Sequence, residues 1–111
     1  MSILDNAKQH FQQKETKHIE VPEWGDENGP LIIYAEPLTL NDKQRIYKKA
    51  KEGELISLAY VLIWFAKDKD GEKLFTIEDK RALLNSVDPN VLADIANTIL
   101  DAPSVEELKK K

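Results

Sequence analysis

The chain has two histidines, His10 and His18, no cysteine, and no second His at ligand spacing from either one. A transition-metal site needs several such donors to converge, so His10 reads as a solvated helix residue and His18 as an outward-facing strand residue. Asp68-x-Asp70-Gly71 has the opening rhythm of a calcium loop. Placing Gly71 at the sixth loop position puts Ala66 at the first and Ile77 at the twelfth. Those positions need a carboxylate and a bidentate Glu, so the segment reads as a polar turn ahead of Leu74-Phe75. The Ser and Thr residues fall where helices need caps. No Ser/His/acid order, Gly-rich phosphate loop or dinucleotide fingerprint is present, and the carboxylates are spread along helix faces. No residue is assigned to catalysis, to a metal or to a cofactor, and a non-enzymatic protein is expected. Trp24 stands between Pro22-Glu23 and a turn. It either packs its ring on the helices or serves as an exposed aromatic anchor of the kind enriched at binding hot spots. Tyr34 has the same two options.

These residues must be held by a single domain spanning 1–111, with 1–15 and 104–111 as flexible ends. An apolar content of 41%, with two Trp, three Tyr and three Phe, supplies one core. The net charge of −4 removes the default electrostatic reason to bind nucleic acid. The lack of cysteine excludes disulfides and thiol catalysis and fits a reducing compartment. Met-Ser-Ile-Leu-Asp-Asn at the N-terminus lacks the basic start and apolar stretch of a signal peptide, so a cytoplasmic protein with no membrane span is expected.

Residues 55–66 are apolar except for Ser57. A helix of this kind has no face to give to water and must be surrounded, and it is shorter than the roughly 20 residues a bilayer span needs. A buried strand competes, but strands of that kind usually run about 4–8 residues. Before the central helix, residues 2–15 read as an amphipathic helix opened by Ser2 and Asp5, with Ile3, Leu4, Ala7 and Phe11 on one face. Residues 16–24 alternate as a strand that Pro22 confines to an edge. Residues 25–30 are a turn segment with Asn28-Gly29 as its tight spot, and residues 31–36 form the second strand of a hairpin. Thr39 and Asp42 open a helix with Leu40, Ile46, Tyr47 and Ala50 inward and Gln44, Arg45, Lys48 and Lys49 outward. Gly53 closes it. Thr76 and Asp79 open a short helix offering Ile77, Ala82, Leu83 and Leu84 for burial. Asp88, with Pro89 at the first helical position, opens the last long helix, whose stripe is Val91, Leu92, Ile95, Ala96, Ile99 and Leu100, and Pro103 ends it. Ser104 and Glu107 offer one further turn. The fold class is α+β, mainly α: four to five helices around a buried central helix, with one small N-terminal β-hairpin.

Two motifs flank the central helix. Val21-Pro22-Glu23-Trp24-Gly25 is followed by a strand and by Leu38-Thr39-Leu40-Asn41-Asp42 at a helix start. Asp70-Gly71-Glu72-Lys73-Leu74-Phe75-Thr76-Ile77-Glu78-Asp79 follows the apolar helix directly. In order and spacing, over residues 19–100, this arrangement resembles the tail assembly chaperones of bacteriophages with long, flexible, non-contractile tails. It departs from their pattern in a longer segment at 26–30 and in lacking a basic residue in the second strand.

The resemblance implies a phage or prophage protein of virion morphogenesis in the siphovirus class. Such a chaperone works in the host cytoplasm and is absent from the mature virion. It binds the tape measure protein, keeps it soluble and promotes tail tube polymerisation around it. The resemblance also implies contact with the major tail (tube) protein through a frameshifted longer form, with which Leu108-Lys109-Lys110-Lys111 is compatible, and it permits self-association. The alternative is a small cytoplasmic protein-binding adaptor or regulator of similar helical fold. A chaperone of a helical partner needs an accessible apolar groove, and the stripes of residues 2–15 and 88–101 are its candidate walls. The expected partner-binding residues are Trp24, Tyr34, Phe11, Leu92, Ile95 and Ile99.

Overall fold

A computed structural model describes residues 2–101; the expected stop at Pro103, the turn at Ser104 and Glu107 and the Lys-rich end lie outside them. The elements run α1 (Ile3–Gln12), β1 (Lys17–Asp26), β2 (Gly29–Ala35), α2 (Leu40–Ala50), α3 (Glu54–Phe65), a 3-10 turn (Ile77–Asp79) continuing into α4 (Lys80–Asn85), and α5 (Pro89–Leu100). The described fold is therefore α+β and mainly α, with five α-helices and one antiparallel hairpin.

Helix starts follow the caps in the sequence. The Asp5 N–H donates to Ser2 Oγ (3.1 Å) and the Ser2 N–H to Asp5 Oδ2 (3.4 Å). Thr39 and Asp42 make the same reciprocal pair at 3.1 and 3.0 Å. The Thr76 N–H donates to Asp79 Oδ2 (2.8 Å), and the Asn90 N–H to Asp88 Oδ1 (2.9 Å) ahead of α5. Each pair satisfies N–H groups that have no partner within the helix. α3 starts at Gly53 with no side-chain cap, so packing rather than capping holds it.

That packing centres on the middle of α3. Ala59, Val61 and Leu62 are fully buried, and Tyr60 and Ile63 nearly so. α2, α4 and α5 lie against α3, and Ile33 and Ala35 of β2 belong to the same core. Ser57 is the buried polar side chain, and its Oγ donates to the Glu54 carbonyl (2.6 Å), which removes the cost of leaving it dry and unpaired. The encirclement stops short at the first turn of α3, where Leu55 is 77% exposed.

The hairpin has longer strands and a tighter turn than its sequence suggested. Its loop is Glu27-Asn28, flanked by the pair Asp26 and Gly29. Asp26 Oδ1 accepts from the Asn28 N–H (2.9 Å), and Gly29 takes a φ of +124°, which favours glycine. Between Val21 and Asp26, β1 takes five steps while β2 takes two from Leu31 to Gly29. Pro22, without an N–H to give, stands where regular pairing stops. A lone hairpin would be marginal, but here β2 gains a further neighbour. The Tyr34 N–H donates to the Lys67 carbonyl (2.8 Å) and the Lys67 N–H to the Tyr34 carbonyl (3.0 Å). Lys67 in turn bridges to Lys73 across the polar turn. Inside that turn, Asp68 Oδ1 accepts from the N–H groups of Asp70 (2.8 Å) and Glu72 (3.0 Å).

Several expected inward residues face water. On α2 only Ile46 is buried, while Leu40 is 86% and Tyr47 71% exposed. Successive residues on a helix are about 100° apart, so burying Ile46 turns Tyr47 away from α3. α4 likewise buries Leu83 alone, and Ile77, Ala82 and Leu84 are exposed. Arg45 and Lys49, expected to point into solvent, lie over aromatic rings of α3 instead: Arg45 Cζ is 4.2 Å from the Trp64 ring centroid and Lys49 Nζ 4.6 Å from that of Tyr60.

Leu62→Ala and Leu55→Ala remove the same atoms from one helix. The first is expected to cost about 2–5 kcal/mol through transfer and cavity terms and the second to stay within about 0.5 kcal/mol, measured by urea unfolding of the two variants.

Candidate partner-binding surface

The six residues expected to bind a partner separate into three groups. Leu92, Ile95 and Ile99 are core residues, 6%, 3% and 2% exposed. This corrects the expectation that the α5 stripe is a groove wall, because that face is consumed by α3 and β1. An amphipathic stripe signals burial but does not say whether the cover is the same chain or another.

Trp24 is half-buried and belongs to the fold. Its ring meets Phe75 edge-on, with centroids 6.2 Å apart and planes at 78°. The strand motif ending Trp24-Gly25 and the turn motif that contains Leu74-Phe75 thus meet in space, both packed against the core. Gly25 is required beside it. A Cβ there would collide with the Gly29 carbonyl oxygen and lie 2.6 Å from the Pro30 Cα. Tyr34 is half-buried, edge-on to His18 at a centroid distance of 4.7 Å. Cross-strand partners share a face of the hairpin, so Tyr34 and Ile32 of β2 stand with His18 and Glu20 of β1 on one side.

Phe11 lies on α1, whose residues are all exposed. Ile3 is 88%, Leu4 63% and Phe11 37% exposed, so the described residues leave Ile3 and Leu4 mostly uncovered and Phe11 partly so. A ten-residue helix is marginal in isolation, so α1 is the element with most to gain from a partner. Ile3 and Leu4 join Phe11 there, and the three- and four-residue spacing that marked this stripe in the sequence was their signal. Leu40 and Tyr47 of α2 form a second exposed apolar pair that periodicity had assigned to the core.

Four clefts each hold about 200–280 Å³, below the ~300–1,000 Å³ usual for small-molecule sites. One of them lies between the α1–β1 connection, Leu38 and the end of α5. There Lys17 Nζ donates to the Thr98 carbonyl (2.7 Å) and pairs with Asp101 Oδ1 (2.8 Å). A cation at a helix C-terminus meets the negative end of the dipole and a last-turn carbonyl together. The hydrogen bond from Lys17, and then its charge, hold the Asp101 carboxyl below the ordinary range. Among the described residues, no group of three or more His, Cys, Asp or Glu is arranged to hold a metal ion, and no helix is long and apolar enough to cross a membrane.

Gly25→Ala is expected to destabilise by about 1–3 kcal/mol through forced overpacking, read as a lowered melting temperature. Lys17→Met tests the anchor at the end of α5. The folded-state pKa of Asp101 lies below its unfolded value, so the ion-pair contribution is present above the unfolded pKa and is lost as pH falls through the folded one. With Asp101 64% exposed, the contribution is under about 1 kcal/mol. The stability deficit of Lys17→Met in urea titrations should therefore be largest near neutral pH and shrink on acidification, leaving the pH-independent loss of the bond to Thr98.

No family model, no curated protein and no solved structure matches the chain.

Proposed function

We propose that this protein is a tail assembly chaperone of a phage or prophage with a long, non-contractile tail. It acts without enzymatic chemistry in the host cytoplasm: it binds the tape measure protein, keeps it soluble and promotes tail tube polymerisation around it. A frameshifted longer form recruits the major tail protein. The observation that carries this reading is α1, an amphipathic helix whose stripe of Ile3, Leu4 and Phe11 is exposed beside a complete core. A partner rich in amphipathic helices can lay its own apolar face along such a stripe, as in other helix-in-groove and helix-on-helix recognition. The meeting of Trp24 with Phe75 adds support, because the two motifs behind the family resemblance are parts of one packed unit.

The test is co-expression with the long helical protein encoded beside this one, followed by pull-down and a solubility assay. A soluble complex is expected with the wild-type chain. Ile3→Glu combined with Leu4→Glu should weaken it at least tenfold while leaving unfolding cooperativity unchanged, since both positions lie outside the core. An insoluble, unbound partner with both this chain and its extended form would overturn the reading in favour of a protein-binding adaptor.

A further inference from the structure

α2 places like charges where they repel. Arg45, Lys48 and Lys49 stand three and four residues apart on one helix, a spacing at which cations weaken the helix that carries them. The fold gathers them further instead of spreading them. Arg45 Cζ stands 4.2 Å from the ring centroid of Trp64 and Lys49 Nζ 4.6 Å from that of Tyr60, and Lys80 of α4 reaches the same Tyr60 ring at 5.1 Å. Arg45, Lys48, Lys49 and Trp64 line an open cleft of about 280 Å³, in which Glu52 is the one carboxylate among the described residues. Glu52 lies 3.6 Å from Lys49. Arg45 and Lys48 have no carboxylate within ion-pair distance among the described residues. Both are exposed and Trp64 is half-buried, so the cleft joins two uncommitted cations to accessible aromatic surface.

The chemistry of the cleft selects among ligands. It is smaller than the usual small-molecule site. A nucleic-acid base needs a free ring face to stack on, whereas Arg45 stands over that of Trp64, and the chain's net charge of −4 opposes a polyanion. A side-chain carboxylate fits better. A guanidinium held over a ring is fixed in place without spending its N–H donors on an acid, and those donors match the two oxygens of a carboxylate.

We propose that this cleft binds an acidic peptide segment of a partner protein. One Asp or Glu of the segment pairs with Arg45 and a second with Lys48, while an apolar residue between them covers the exposed part of the Trp64 ring. The site uses none of the α1 stripe, so it stands or falls separately from the chaperone reading.

The probe is a blocked peptide of Glu residues around one Leu, titrated into the isotope-labelled full chain and followed by the side-chain N–H resonances of Arg45 and Trp64. Both are expected to shift saturably in low salt, with affinity at least tenfold weaker in about 0.5 M salt, where screening falls to a few ångströms. The same peptide with Gln in place of Glu should not bind. Arg45→Gln/Lys48→Gln should lose at least tenfold in affinity with unchanged far-UV circular dichroism, whereas Lys69→Gln, in the polar turn, should bind as the wild type does. The wild-type resonances and the Gln peptide decide the matter alone if the double variant unfolds. Equal binding of the Gln peptide, shifts that spare Arg45 and Trp64, affinity that survives loss of both cations, or tighter binding of an oligothymidylate than of the Glu peptide would each overturn the proposal. Shifts at Arg45 and Trp64 that follow protein concentration without peptide would overturn it in favour of a second copy as the occupant.

Discussion

The fold depends on a helix that cannot be wetted. α3 has no polar face, so its stability cannot come from its own surface, and it has no side-chain cap to start it. Each fully buried large side chain contributes roughly 1.5–3 kcal/mol relative to exposure, and the middle of α3 supplies several. Ile46 of α2, Leu83 of α4, the α5 stripe and the Ile33–Ala35 end of β2 are all inward residues of the same core. The hairpin belongs to this arrangement as well, because the segment leaving α3 pairs with it through Lys67 and Tyr34.

Where the covering runs out, the chain solves the problem with charge. Tyr60 in the middle of α3 and Trp64 in its last turn lie ring against ring at 5.1 Å. Lys49 and Lys80 stand over Tyr60 and Arg45 over Trp64. A cation over an aromatic face contributes about 0.5–1 kcal/mol at exposed sites, and its aliphatic stem shields ring surface while the head stays in water. α2 can therefore be strongly basic and still pack on the most apolar helix in the chain. The same arrangement fixes the direction of its remaining cations. With Arg45 and Lys49 turned toward the rings, Lys48 and Lys51 are left on the outward face with Tyr47 and Leu40.

Helix starts and the position of the core were legible in the sequence because both are local. A capping pair such as Ser2 and Asp5 or Thr39 and Asp42 needs only residues three apart, and a long apolar run needs only its neighbours. Which side of an amphipathic element would be covered by its own chain was not legible. The stripes of α1 and α5 look equivalent by spacing, yet Ile99 is buried and Ile3 is not. The difference comes from packing between distant segments, such as α5 against α3, which periodicity does not encode. The hairpin shows a related blind spot. Residues 25–30 carry so many turn formers that they suggest a wide loop, whereas Gly25 permits close backbone approach and Gly29 takes a positive φ at the end of a long, irregular β1. Trp24 was ambiguous for the same reason, since its partner Phe75 is remote in sequence.

The uncovered surfaces differ in what they can recognise. The stripe of α1 is apolar along a single helix, so it can select a partner by shape and hydrophobic area but has little means of rejecting an alternative amphipathic helix. The outer face of α2 sets the exposed Leu40 and Tyr47 beside Lys48 and Lys51, and charge there adds register and a penalty for like-charged pairing. A protein that must hold an aggregation-prone helical partner benefits from the first kind of surface, because tolerance there is an advantage. Separating the two kinds of surface onto different elements lets each be altered without disturbing the core around α3.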